Sequence, residues 1–248
     1  MKRLATLVIL VCFVNNLLLA QQIARPIGVF DSGTGGLTVL EAILRLDAFN
    51  NVSGKPGADG IPDFNREYFH YLADQANMPY GNYAAEGKTD LLKEHILRGM
   101  TFLTDDKIYA KKQNESFNSV AKETVKMIVV ACNTATAYAL PEIKQQVGAK
   151  VPVVGVIDAG CKAALEFQQK QGGTIGVFAT VGTVASEGYP NTLRRQAAGM
   201  GISSLSIVSQ GGFGLAESID RDWSFYADSI AAPRTDYKGP SMRNERYK

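Results

Sequence analysis

Cysteine and histidine are scarce: the 248 residues include three cysteines and two histidines. That excludes a Cys/His zinc framework of ordinary ligand count and a disulfide-dense scaffold. Tryptophan occurs once, and no basic block stands out. Lys and Arg number 26 against 24 Asp and Glu, a net charge of +2. The chain therefore lacks the electrostatic footprint of a nucleic-acid binder. With 46% hydrophobic and 20% charged residues, it is neither disordered nor collagen-like nor of low complexity. A long apolar run occurs at the N-terminus, where Lys2 and Arg3 precede Leu4–Ala20. Asn15 and Asn16 interrupt it, so it is marginal for a membrane span. The pattern is that of a secretory signal over 1–20, cleaved after Ala20, and predicts an exported or periplasmic protein. Cys12 follows Val11 rather than a small residue and does not read as a lipid-attachment site.

What the chain does have is alternation. Strand-length apolar runs at Pro26–Phe30, Tyr68–Ala73, Met127–Ala131, Val151–Ile157, Thr174–Ala179 and Leu205–Val208 are separated by helical patterns. Leu37, Leu40, Ile43 and Leu44 recur at helical spacing, as do Leu91, Leu92, Ile96, Met100 and Leu103. Further helices are predicted over Thr134–Val147, Cys161–Gln169 and Val184–Ala198. This rhythm specifies an α/β fold with mainly parallel sheets. Residues 47–66 are rich in Gly, Pro, Asn and Asp and read as a loop insertion. Its acidic residues do not form a calcium loop, because Lys55 and Gly57 occupy the first ligand positions.

Two junctions carry chemistry. Asp31-Ser32-Gly33-Thr34-Gly35-Gly36 joins a strand to a helix. Its glycines let the backbone turn tightly, and free N–H groups at the helix start favour an anion. Asp31 and Ser32 stand at the carboxyl end of the strand, where open α/β sheets bind ligands. The spacing fits neither the dinucleotide fingerprint nor the phosphate loop with its lysine. Anion-binding turn and plain structural turn both remain open at this point. At the second junction Cys132 ends a buried strand, and Asn133-Thr134 opens a helix whose N-terminus favours thiolate. Asn133 and Thr134 offer donors to a carboxylate. A buried structural cysteine followed by a helix cap fits the same residues.

Together the junctions resemble the aspartate/glutamate racemase superfamily, in its glutamate racemase branch. The similarity runs through Ile27–Val39 (IGVFDSGTGGLTV), Tyr71–Tyr83 (YLADQANMPYGNY), Val129–Ala137 (VVACNTATA), Gly155–Gly160 (GVIDAG) and Ile175–Tyr189 (IGVFATVGTVASEGY), in the family's order. The resemblance implies two pseudo-symmetric α/β lobes. It also implies cofactor-independent, metal-free racemisation of L- and D-glutamate, supplying D-glutamate for peptidoglycan. In it two cysteines exchange protons at opposite faces of the substrate Cα. By motif, Cys132 is one acid/base. Asp31, Ser32, Tyr80, Gly81, Asn133 and Thr134 contact the amino acid, with Thr180 and Thr183 as weaker candidates. Asp31 would either meet the substrate or merely cap the helix near Gly36. The implied partner is a small amino acid, with no nucleic acid, and a homodimer is one assembly open to it.

The chain departs from the family in places. The Gly-Cys-Thr-His-Tyr-Pro-like block that carries the second cysteine does not occur. Cys161 stands where no motif matches, and neither His70 nor His95 follows a Cys-Thr pair. The resemblance therefore implies a second lobe that is incomplete in this chain, and an isolated chain that is inactive. The division expected is a signal peptide at 1–20, a first lobe at 21–154, a partial second lobe at 155–223 and an irregular tail at 224–248. The leader is also unlike a family that acts in the cytoplasm. A one-cysteine decarboxylase-like relative and an exported non-catalytic amino-acid-binding relative are the alternative readings.

Overall fold

The computed structural model describes residues 25–110, 118–149, 151–219, 221–227, 229, 231–239 and 241. The expected signal peptide lies outside them. In chain order the strands are β1 Ile27–Asp31, β2 Phe69–Ala73, β3 Lys107–Ala110, β4 Asn118–Ala121, β5 Met127–Val130, β6 Val153–Gly155, β7 Ile175–Ala179 and β8 Ile207–Gly211. The helices are α1 Gly36–Arg45, α2 Tyr80–Ala85, α3 Thr89–Thr104, α4 Asn133–Val147, α5 Val156–Gln171, α6 Val181–Ala185, α7 Gly188–Gly199 and α8 Leu215–Ile219. The architecture is α/β with mainly parallel sheets; the hairpin β3–β4 is antiparallel.

The described residues form two compact units. The first takes them up to Ala76, from His95 to Cys132 and from Pro141 to Val154. The second takes Asn77–Glu94, Asn133–Leu140 and those from Gly155 onward.

In the first unit the sheet order is β2-β1-β5-β6. Every residue of β1 is buried, and the strand pairs in parallel with β2 on one edge and β5 on the other. A parallel sheet needs cover on its faces, and α3 supplies it. Ile96, Met100 and Leu103 recur on one face of α3 and are fully buried. Leu91, expected on that face, is 41% exposed. On α1, Leu40 and Ile43 are half-buried, whereas Leu37 and Leu44 face solvent. Lys126, just before β5, is ion-paired to Glu67, just before β2.

The loop at 47–66 is held by its own acids. Asp47 accepts from the backbone N–H groups of Asp59 and Gly60, Asp63 from Ala48 and Phe49, and Asp59 from Asn51 and Ile61. Carboxylates committed to amides in this way order a glycine-rich segment that has little core of its own.

In the second unit β7 and β8 pair in parallel, and α5 and α7 pack against each other. Ile157, Cys161, Leu165, Val177, Leu193 and Ala197 form the core. Two boundaries differ from the sequence expectation. The strand expected over Val151–Ile157 ends at Gly155, and Val156 and Ile157 already belong to α5. A Cβ at Gly155 would lie 2.6 Å from Thr136 Cγ2, so a close approach fixes the turn there. The helix expected over Val184–Ala198 is broken at Glu187, whose φ of 54° is left-handed. Ser186 bridges the break by donating to Thr183 O at 2.6 Å and accepting from Gly188 N at 3.2 Å. Periodicity cannot reveal such a break, because the apolar positions stay in phase across it.

A packing prediction follows from Gly99 in α3. A Cβ there would lie 2.6 Å from Cε2 of Phe30, which is fully buried. Gly99→Ala gains about 1 kcal/mol of helix propensity but overpacks the core by about 1–3 kcal/mol. A lowered Tm is expected in thermal melts, and a raised one would contradict this packing.

Candidate functional site

The β1–β5 register builds the arrangement in the first unit. Ile27 stands opposite Met127 and Phe30 opposite Val130, an offset that persists beyond both strands. Ala131 N donates to Phe30 O at 2.8 Å, continuing the ladder. Ser32 and Cys132 consequently arrive side by side, with Oγ and Sγ 3.6 Å apart. Both stand at carboxyl strand ends, where this class of sheet offers its ligand positions. Cys132 is 5% exposed, so its sulfur is largely removed from solvent.

Asp31 is also buried, and its Oδ2 accepts from Gly36 N at 2.7 Å. One carboxylate oxygen thus does cap α1, as the structural reading of Asp31 anticipates. Gly36 is required here: a Cβ would lie 2.7 Å from Asp31 Cβ, 2.9 Å from Tyr71 Oη and 3.1 Å from Ala131 Cβ. Tyr71, in β2, donates its hydroxyl to Gly33 O at 3.0 Å and so clamps the glycine turn. Burial pushes its phenol up to about 12, with the charges of Asp31 and Cys132 adding to the effect. The motifs do not single out Tyr71. Its place at the centre of a strand-length run ahead of the Tyr80–Gly81 motif is the available signal.

In the second unit the expected residues gather around helix starts. Thr134 Oγ1 lies 3.1 Å from Thr183 Oγ1, and Thr180 Oγ1 donates to Thr183 Oγ1 at 3.0 Å. Thr180 caps α6 by accepting from Thr183 N at 3.3 Å. Gly81 lies against α6, where a Cβ on Gly182 would be 2.8 Å from Gly81 O. Tyr138 donates to Gly182 O at 2.9 Å and holds the same segment. Tyr80 is buried and meets Tyr83 edge to face. Asn133 is exposed, and its Oδ1 accepts from Tyr189 Oη at 2.6 Å. The motifs do not single out Tyr189 either.

Cys161 is placed differently. It belongs to the core of the second unit, and its thiol points to Tyr189 O at 3.8 Å. Burial pushes the thiol up to about 11, Asp158 adds to the shift, and Arg195 opposes it. Such a sulfur stays protonated at neutral pH and packs as a small apolar group.

Comparison with known proteins bears on this arrangement. Residues 98–219 match the family described as Asp/Glu/Hydantoin racemase. The glutamate racemase of Lactiplantibacillus plantarum is 36% identical over 169 residues, which are 68% of this chain and 46% of that protein. That of Limosilactobacillus fermentum is 34% identical over 201 residues, 78% of this chain and 59% of that protein. A solved glutamate racemase isoform from Bacillus anthracis aligns with a TM-score of 0.58 at 28% identity, covering 80% of this chain and 57% of that one. The chain spans about half the length of the curated relatives it matches.

The Tyr71 clamp predicts a pH dependence. Its native pKa of about 12 lies above the ordinary value of 10.0. The stability from keeping the proton is therefore complete below about pH 10 and is lost as pH rises through the native pKa. Tyr71→Phe should cost about 1 kcal/mol near neutrality by removing the bond to Gly33 O. The gap from wild type should narrow as pH rises above about 10. Denaturant melts across the alkaline range measure it, and a constant gap would contradict the clamp.

Proposed function

Because the chain belongs to the aspartate/glutamate racemase superfamily, we propose that the protein interconverts L- and D-glutamate without a cofactor, with Cys132 as one acid/base. The observation that carries the reading is the Ser32–Cys132 pair at the ends of two register-matched parallel strands. In the proposed step the Cys132 thiolate takes the α-proton. The C–H electron pair stays on the substrate and spreads into the α-carboxylate. A second acid then returns a proton to the other face, completing the inversion.

An amino-acid α-proton is weakly acidic, so donors already aimed at the developing charge have to lower the barrier. In the first unit the Ser32 hydroxyl can hydrogen-bond the Cys132 sulfur, and Asp31 can orient the substrate ammonium. In the second unit the Asn133 amide and the linked Thr134–Thr183 hydroxyls offer donors for carboxylate oxygens, while Thr180, whose hydroxyl donates to Thr183, orders that pair. Tyr80 and Gly81 form part of the same contact set. Cys161 has no part in the step: its buried, protonated thiol faces Tyr189 O. The D-glutamate formed would serve peptidoglycan synthesis.

Cys132→Ser tests the reading in the full-length protein. Turnover in both directions should fall by about a hundredfold or more, because a serine hydroxyl is a far weaker acid than a thiol. The substitution is nearly isosteric, and Tm should change little. Chiral chromatography of glutamate gives the rate, and near-normal interconversion would remove Cys132 from the chemistry.

A further inference from the structure

Asn133 carries both poles of an amide at the start of α4. Its oxygen is an acceptor, and its nitrogen offers two donor hydrogens. Which pole faces a ligand decides whether the residue attracts or repels a carboxylate. The amide is exposed, so close packing around it does not select the orientation. The selection comes from Tyr189, which donates to the amide oxygen at 2.6 Å.

Tyr189 is held firmly enough for this task. It is the second residue of α7, and Gly188 before it lies flush against α4. A Cβ on Gly188 would be 2.9 Å from Ala137 Cβ and 3.2 Å from Ala137 Cα. Ala137 is one helical turn beyond Asn133 on the same face of α4. The contact that seats α7 on α4 thus also sets the reach from the phenol to the amide. The Tyr189 ring is half-buried beside Cys161, Val177 and Leu193 along a cavity of about 220 Å³. Burial raises its pKa, with Cys161 contributing.

We propose that Tyr189 is a positioning residue for carboxylate recognition: by holding the amide oxygen of Asn133, it turns the Asn133 NH2 group toward the substrate carboxylate. The role rests on the proposed placement of Asn133 against glutamate. Without the phenol hydroxyl the amide can invert and present its oxygen to the anion. Tyr189→Phe removes that hydroxyl and leaves the ring in place.

The test is a double-mutant cycle on glutamate affinity, measured by calorimetry on the full-length wild type, Tyr189→Phe, Asn133→Ala and the combined variant. Tyr189→Phe should weaken binding about fivefold to tenfold. Asn133→Ala should weaken it at least as much, and the combined variant should equal Asn133→Ala, since the phenol then has nothing to position. A Tyr189→Phe loss that persists in the Asn133→Ala background would make Tyr189 merely structural and overturn the proposal. An unchanged affinity for Tyr189→Phe alone would also overturn it. Asn133→Ala with wild-type affinity would overturn the placement of Asn133 and this role with it. Repeating the cycle in the Cys132→Ser background separates binding from chemistry. The same pattern should appear there, so a failure of the acid/base reading remains distinguishable from a failure of this one.

Discussion

The parallel register between β1 and β5 is the constraint on which the first unit's site depends. Phe30 faces Val130 across the ladder, and two residues further on each chain Ser32 meets Cys132. A register slip of one residue would turn alternate side chains to the opposite face. It would separate the hydroxyl from the sulfur and push core residues toward solvent. The burial of all five β1 residues therefore protects this pairing as well as the fold. Phe30 shows the link most directly, since it is both a register partner and the ring against which Gly99 seats α3.

The turn after β1 adds a second layer of control. Asp31, Gly36 and Tyr71 occupy a space in which no further carbon fits, and the Tyr71 hydroxyl fastens the Gly33 carbonyl. Asp31 caps a helix through one oxygen, so its scaffold role and its proposed substrate role use the same side chain. In the second unit hydroxyls do comparable work. Thr134, Thr183 and Thr180 form a chain of short contacts at two helix starts, and Tyr189 fixes the amide of Asn133. Polar groups arranged in this way are pre-oriented before a ligand arrives, which lowers the reorganisation that binding requires.

Much of this was legible in the residues. Strand–helix alternation specified the α/β class, and the glycine turn and the Cys132 junction marked strand ends that the structure does bring together. The partnership of Ser32 with Cys132 was not legible from spacing, because 100 residues separate them and only the register makes them neighbours. The β3–β4 hairpin escaped notice because its second strand, Asn118–Ala121, is exposed throughout and lacks apolar alternation. The boundary at Gly155 and the break at Glu187 depend on tertiary close approach and on one left-handed residue. Tyr71 and Tyr189 lie within the motif segments, yet their hydrogen bonds depend on hydroxyl directions that a sequence does not carry.

Proton exchange at the glutamate α-carbon tests the central claim most directly. The protein in D2O is given L-glutamate and D-glutamate separately, and the Cα–H signal is followed by proton NMR. If Cys132 removes that proton, the signal of at least one enantiomer is lost to solvent deuterium, and Cys132→Ser abolishes the loss while its fold persists. Exchange that continues at the wild-type rate in Cys132→Ser would contradict the account.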